Sequence, residues 1–103
     1  MTLPPRILAA GLTWPVRTRA KLESDGLCRP KEQDILLHRD CVNRIDRARK
    51  TLLHEMLHAM LYDRLELYEN EELILLLEDR LDEVLRMNPD FLWMYGYEVR
   101  EDG

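Results

Sequence analysis

Hydrophobic residues form short runs in roughly the first forty positions and follow a helical period in the second half of the chain. The apolar stretches 6–10 and 12–16 are separated by Gly11, so they predict a strand pair or one bent strand. Pro15 has no backbone N–H, which should confine the second stretch to a sheet edge or a strand end. Residues 33–38 alternate loosely, with Ile35 and Leu37 on one side and Leu36 and His38 on the other, and predict a further strand.

The second half predicts two amphipathic helices. The first should begin at Asp40 or Asn43, either of which could cap it, and should end near Asp63. Its apolar face consists of Leu52, Leu53, Met56, Leu57, Met60 and Leu61. A short connection over residues 65–69 separates this helix from the next one.

The second helix should begin at Asn70, a suitable N-cap, and end at Met87 because Asn88 and Pro89 stop it. The apolar residues that recur at helical spacing, and that should pack on the first helix, are Leu73, Leu77, Leu81, Val84 and Leu85. The tail holds Trp93, Tyr95 and Tyr97, and we expect it to fold back onto the core.

These elements predict an α+β fold in a single domain over residues 1–103. A small antiparallel sheet of two or three strands would occupy the strand-and-loop half, about residues 1–40. An active-site helix and an antiparallel C-terminal helix would occupy about residues 41–88, followed by the tail 89–103.

The sequence His54-Glu55-Met56-Leu57-His58 carries the clearest chemistry. Residues four apart lie on one face of a helix, so both imidazoles can point at one ion. Glu55 can reach the same pocket, and two histidines with a glutamate in this spacing are the zinc-peptidase arrangement. The flanking residues are apolar, so this helix should be buried and its polar side chains should need a partner. The motif therefore predicts a zinc site.

A catalytic zinc site needs a third protein ligand and one open position for water. The candidates for this ligand are Glu71, Glu72, Glu78 and His38. At about 100° per residue, Glu71 and Glu78 share an azimuth beside the apolar stripe, whereas Glu72 points toward the polar face. Glu78 would lie deeper, with Asp82 one turn beyond as a possible partner for an imidazole. The residues themselves leave Glu71 and Glu78 as alternatives.

Residues 51–62, which contain the motif, together with 70–74 and 85–91 resemble the very short gluzincin-type metallopeptidases. These minigluzincins are often encoded by bacteriophages and are loosely related to SprT-like and ImmA/IrrE-type domains. The resemblance covers roughly residues 26–92. It implies a zincin-like fold with zinc bound by His54, His58 and Glu71, the glutamate that opens the next helix. Glu71 follows His58 by fewer residues than is usual in the larger gluzincins, whose spacing Glu78 would match.

The resemblance also implies an activity, the hydrolysis of peptide bonds in a peptide or protein substrate. Glu55 would be the general base, and Tyr62, Tyr68 or His38 could donate a hydrogen bond to the developing oxyanion. The strand 33–38 would form the rim of the cleft and receive the substrate as an added strand. The alternative is a non-catalytic module that zinc stabilises, or a regulatory protein that acts on a DNA-bound repressor.

Net charge and hydropathy indicate which classes of partner to expect. The formal net charge of −5 argues mildly against nucleic acid, although the first third is locally basic through Arg6, Arg17, Arg19, Lys21 and Lys31. No apolar run approaches the roughly 18 residues of a membrane span, and the chain begins without a signal-peptide pattern. We therefore expect a cytoplasmic protein. Cys28 and Cys41 should then be free thiols.

Overall fold

Four strands and four α-helices account for most of residues 3–96, the part of the chain that the computed structural model describes. The strands are β1 (Arg6–Ala9), β2 (Leu12–Arg19), β3 (Gly26–Arg29) and β4 (Asp34–His38). A short 3-10 helix (Cys41–Asn43) precedes the helices α1 (Ile45–Met60), α2 (Leu65–Tyr68), α3 (Glu71–Met87) and α4 (Pro89–Gly96).

The strands form one mixed sheet in the order β1-β2-β4-β3. β2 and β4 are parallel, while β1–β2 and β3–β4 are antiparallel. The predicted α+β class is confirmed, but the expected antiparallel sheet of two or three strands is wrong. β3 gave no sequence signal because it has only four residues, with glycine and arginine at its ends, between two turns.

β2 is longer than predicted because it serves two neighbours in succession. Its first half, up to Pro15, pairs with β1, and its second half, from Val16 onward, pairs with β4. Pro15 therefore lies where the strand has no partner on the β4 side, as the missing N–H requires. The strand continues to Arg19 instead of ending at Val16 because β4 provides a second ladder.

The core lies between one face of the sheet and α1. The buried residues that form it are Trp14, Cys28, Ile35, Leu37 and Ala59. The indole N–H of Trp14 donates to the carbonyl oxygen of Ala9 at 3.0 Å, so this fully buried ring keeps a hydrogen-bond partner.

The predicted start of α3 is confirmed, and the predicted start of α1 is wrong. Asn70 caps α3 as expected, because its Oδ1 accepts from the Leu73 N–H at 3.0 Å. Asp40 and Asn43 do not cap α1, whose N-cap is Arg44 without a side-chain hydrogen bond. The cause is the 3-10 helix, which uses these positions for a separate turn. The connection over residues 65–69 likewise contains a helical turn, α2.

α3 packs antiparallel on α1, as predicted. Ile74 is fully buried in this interface, and the half-buried leucines of α3 are Leu73, Leu77, Leu81 and Leu85. Val84, which was predicted to pack there, is 41% exposed. Val84 lies about 80° around the helix from Ile74, whereas Leu85 lies within about 20°.

The prediction that the tail folds back onto the core is wrong for the described residues. Pro89 ends α3 but is also a favourable first residue for a helix, and α4 starts there. Phe91, Trp93 and Tyr95 on α4 are 46%, 67% and 78% exposed, and Tyr97 lies outside the described residues. None of the helices between Leu3 and Gly96 has both the length and the apolar content of a membrane span.

Gly26 lets β3 approach α1 closely, and this contact is testable. A Cβ at this position would lie 2.7 Å from Thr51 Cγ2 and 3.1 Å from Glu55 Cγ. We predict that Gly26→Ala lowers the free energy of unfolding by about 1–3 kcal/mol through overpacking, measured by urea denaturation. Thr51→Ser removes the obstructing methyl group, so the double variant should recover part of the loss. An unaltered midpoint in Gly26→Ala would contradict the close approach.

Candidate metal centre

Two histidines of α1 and the first residue of α3 meet at one point. Nε2 of His58 lies 2.6 Å from one carboxylate oxygen of Glu71, and Nε2 of His54 lies 3.3 Å from the other. One ligand atom from each of the three residues falls within a group no wider than 4.8 Å. The structure thus brings together the three residues that the sequence analysis named as zinc ligands.

Local folding places Glu71 at this point. The Asn70 cap fixes the start of α3, and a carboxylate in the first turn is favoured by the partial positive charge of the helix terminus. The side chain of Glu71 is 58% exposed, whereas those of His54 and His58 are 18% and 10% exposed. The imidazoles therefore form the floor of the site and Glu71 closes it from the solvent side.

Glu78, the alternative third ligand, contacts the other nitrogen of His54. Its Oε1 lies 2.8 Å from His54 Nδ1, and its Oε2 lies 3.5 Å from the ammonium group of Lys50. A carboxylate at Nδ1 makes that nitrogen the N–H donor and leaves Nε2 free to bind a metal. This geometry favours Glu71 as a ligand and Glu78 as the group that orients His54.

The other candidates lie elsewhere. Glu72 is exposed, outside the cleft that contains the histidines, and His38 does not line that cleft either. Asp82, considered as a partner for an imidazole, instead accepts from Arg86 at 2.9 Å and lies 3.5 Å from Arg49.

His58 is held in a different way from His54. Its Nδ1 is buried and has no hydrogen-bond partner among residues 3–96. The ring is packed edge to face against Tyr68, with ring centroids 5.0 Å apart. Packing on Tyr68 and the contact of Nε2 with Glu71, rather than a hydrogen bond at Nδ1, therefore set the orientation of this imidazole.

Glu55 is the buried acid of the site, with 6% of its surface exposed. Burial raises the pKa of Glu55 from 4.5 to about 7, the electrostatic interaction with His54 opposes this rise, and the carboxylates of Glu71 and Glu78 add to it. The backbone N–H of Cys28 donates to the Glu55 carboxylate and partly offsets the rise. A pKa near 7 suits a group that accepts and returns a proton at neutral pH.

These residues line a cleft of about 750 Å³ between β3 and the helices α1 and α3. Tyr68 also lines it, and its hydroxyl donates to the Cys28 carbonyl at 3.3 Å. Burial raises the pKa of Tyr68, so the hydroxyl keeps its proton at neutral pH. Of the three predicted oxyanion donors, Tyr68 alone reaches the cleft: Tyr62 packs on Trp14, and His38 lies outside.

The strand that borders the cleft is β3 and not the predicted strand 33–38. β4, which occupies those positions, is paired with β2 on one side and β3 on the other, so it has no free edge to receive a peptide. β3 is the edge strand, and Gly26 and Cys28 face the cleft from it.

The donor set fits zinc. Two imidazole nitrogens and one carboxylate oxygen are the ligands of many catalytic zinc sites, which leave the fourth position open. Cys28 also borders the cleft, but burial raises the pKa of its thiol to about 12, which keeps sulfur protonated and a poor ligand. Cys28 and Cys41 are both free and buried, as predicted for thiols.

Comparisons of the chain with protein-family models, with curated proteins and with solved structures gave no match. The resemblance to short gluzincins therefore depends on the sequence motifs alone.

We predict that the purified chain binds about one zinc ion, measured by elemental analysis and competition with a chelator. Glu78→Gln should weaken zinc binding by about 10–100-fold because it loosens His54, and Glu71→Gln should weaken it more. Glu72→Gln is the matched control because Glu72 is adjacent to Glu71 in sequence but lies outside the site. This variant should bind zinc as tightly as the wild type does. Equal binding by Glu71→Gln and Glu72→Gln would contradict the assignment of Glu71.

Glu55 should also make stability depend on pH in the metal-free chain. Its folded-state pKa lies above the unfolded value, so its contribution is complete below about pH 4.5 and is lost as pH rises through about 7. The loss should approach about 3 kcal/mol in the free energy of unfolding, measured in urea with a chelator present. Glu55→Gln should remove this fall. Parallel curves for the two proteins would contradict the raised pKa.

Proposed function

We propose that this chain is a zinc-dependent metallopeptidase. The observation that carries the proposal is the position of Glu55, a buried carboxylate beside the converging His54, His58 and Glu71 in an open cleft. A zinc site that only stabilised the helix pair would have no use for a buried acid with a raised pKa. In a hydrolase, the same acid is the required proton acceptor.

Each residue then has a chemical task. When bound, zinc lowers the pKa of its water ligand to about 7 and polarises the scissile carbonyl. Glu55 accepts the proton of the attacking water and later donates it to the leaving amine. Two features of β3 keep the Glu55 side chain in place. The Cys28 N–H donates to its carboxylate, and Gly26 leaves space for it.

Tyr68 is the group that we assign to the oxyanion. Its protonated hydroxyl borders the cleft, and its ring already packs on His58. A neutral donor beside the reacting carbonyl stabilises the negative charge that develops there. To take this role the hydroxyl must leave the Cys28 carbonyl, a weak contact at 3.3 Å.

The edge of β3 that borders the cleft would align the substrate once Tyr68 releases the Cys28 carbonyl, which leaves that oxygen to accept from the peptide backbone. An extended peptide can add to an exposed strand through main-chain hydrogen bonds, which require no particular side chains. This arrangement favours unfolded or flexible protein segments in the cytoplasm as substrates. The resemblance also implies that a bacteriophage encodes this chain, and that origin is part of the proposed function.

Glu55→Gln tests this function most directly. We predict that it keeps about one zinc per chain but lowers the rate of peptide cleavage by at least about 100-fold, because the proton acceptor is lost. Cleavage would be followed by mass spectrometry on a mixed peptide library, with Glu72→Gln as the control of equal charge change.

Two results would contradict the proposal. Equal cleavage by the wild type and Glu55→Gln would remove Glu55 from the mechanism. A zinc-loaded wild type that cleaves nothing in the library would favour the alternative of a non-catalytic, zinc-stabilised module.

A further inference from the structure

One face of the sheet packs on α1, and the opposite face carries four arginines from three strands. The register places Trp14, Val16, Ile35 and Leu37 on the core face, so the intervening residues lie on the other. Arg6 on β1, Arg17 and Arg19 on β2, and Arg29 on β3 all belong to that other face. We call these four residues the arginine face.

The arginine face is strongly positive for a chain whose net charge is −5. Asp34 is the one acidic residue of the four strands. It lies on the arginine face and is fully buried. Glu32, in the loop before β4, lies 4.0 Å from Arg29. Six carboxylates lie on α3, which packs on the other side of α1 from the sheet, so the molecule is electrically polar.

Asp34 holds two of the four guanidinium groups in place. Arg29 donates to both of its carboxylate oxygens, at 2.8 and 2.6 Å, and Arg17 donates at 3.0 Å. Arg17 nevertheless remains 56% exposed. Arg6 and Arg19 are exposed and form no ion pair within residues 3–96. A fixed, exposed guanidinium loses little conformational entropy when it binds an anion.

The composition of the face selects the kind of anion. Trp14 is the only Phe, Tyr or Trp residue of the four strands, and it is buried on the other side. The ring that the face does carry, the imidazole of His38 opposite Arg19, is only 22% exposed, so the face offers little surface on which an unpaired base could stack. Arginines two residues apart on one strand are separated by about 7 Å and can contact different phosphates. This combination suits the phosphate backbone of a duplex rather than the bases of a single strand.

We propose that the arginine face binds the phosphate backbone of duplex DNA. The binding is electrostatic and independent of base sequence, with a dissociation constant on the order of 10⁻⁵ M at physiological salt. It uses the face opposite the cleft, so it does not depend on the proposed peptidase function.

Fluorescence anisotropy of a labelled short duplex, titrated with the full chain, tests this inference. If four arginines each displace a counterion, the logarithm of the binding constant falls against the logarithm of the salt concentration with a slope near −3.6. The variant Arg6→Gln/Arg19→Gln should reduce this slope to about −1.8 without loss of the fold, checked by circular dichroism. The matched control Arg64→Gln/Arg80→Gln changes the net charge equally on the acidic side and should keep the wild-type slope.

Four outcomes would overturn the proposal. These are the absence of binding at about 50 mM salt, an equal effect of the two double variants, and tighter binding of a single strand than of the duplex. The fourth is displacement of the duplex by polyglutamate at equal charge concentration, which would assign the face to an acidic protein. Zinc-loaded and zinc-free protein should bind the duplex alike, so failure of the metal centre would not affect the result.

Discussion

The approach of the α3 N-terminus to the last turns of α1 is the contact on which the candidate site depends. α1 supplies both imidazoles, but their Nε2 atoms converge on a carboxylate only because Glu71 opens an antiparallel helix at the right height. The same packing brings Glu78 to the opposite nitrogen of His54, two turns further along α3. A shift of α3 by one residue would turn both carboxylates about 100° away and leave two buried histidines without partners.

Burial of Glu55 is the second constraint, and it lowers the free energy of unfolding. A carboxylate with a pKa near 7 destabilises the folded chain at neutral pH relative to one in water. Gly26 and the Cys28 N–H accommodate this side chain but do not neutralise it. Retention of such a group at the edge of an open cleft is expected of a reacting residue and not of a stabilising one.

Local signals were sufficient for part of this arrangement. The HExxH spacing placed His54 and His58 on one helix face with Glu55 beside them, and the cap at Asn70 fixed where the next helix starts, because both depend on residues close in sequence. The choice between Glu71 and Glu78 was not local. The two share an azimuth on α3, and only the height at which α1 crosses it decides which nitrogen each one meets.

The errors in the sheet have the same origin in long-range packing, whereas the error in the tail is local. β3 is a strand because β4 offers it an edge, and its four residues carry too little β propensity to reveal this. Pro15 was read as a limit on β2, but the strand changes partners just after it, which no local rule anticipates. The aromatic residues of the tail suggested burial, yet Pro89 starts a new helix that keeps Trp93 and Tyr95 on the surface.

β3 connects the two faces of the sheet, since alternate residues of a strand point to opposite sides. Cys28 faces the cleft, where its N–H donates to Glu55, and the next residue, Arg29, faces the other way and is held by both oxygens of Asp34. Asp34 is directly opposite Arg29 in the ladder, so this paired interaction resists a slip of β3 along β4. A slip of one residue would exchange Cys28 and Arg29 and place a guanidinium beside Glu55. The charge pair on the outer face therefore keeps the register on which the geometry of the inner site depends.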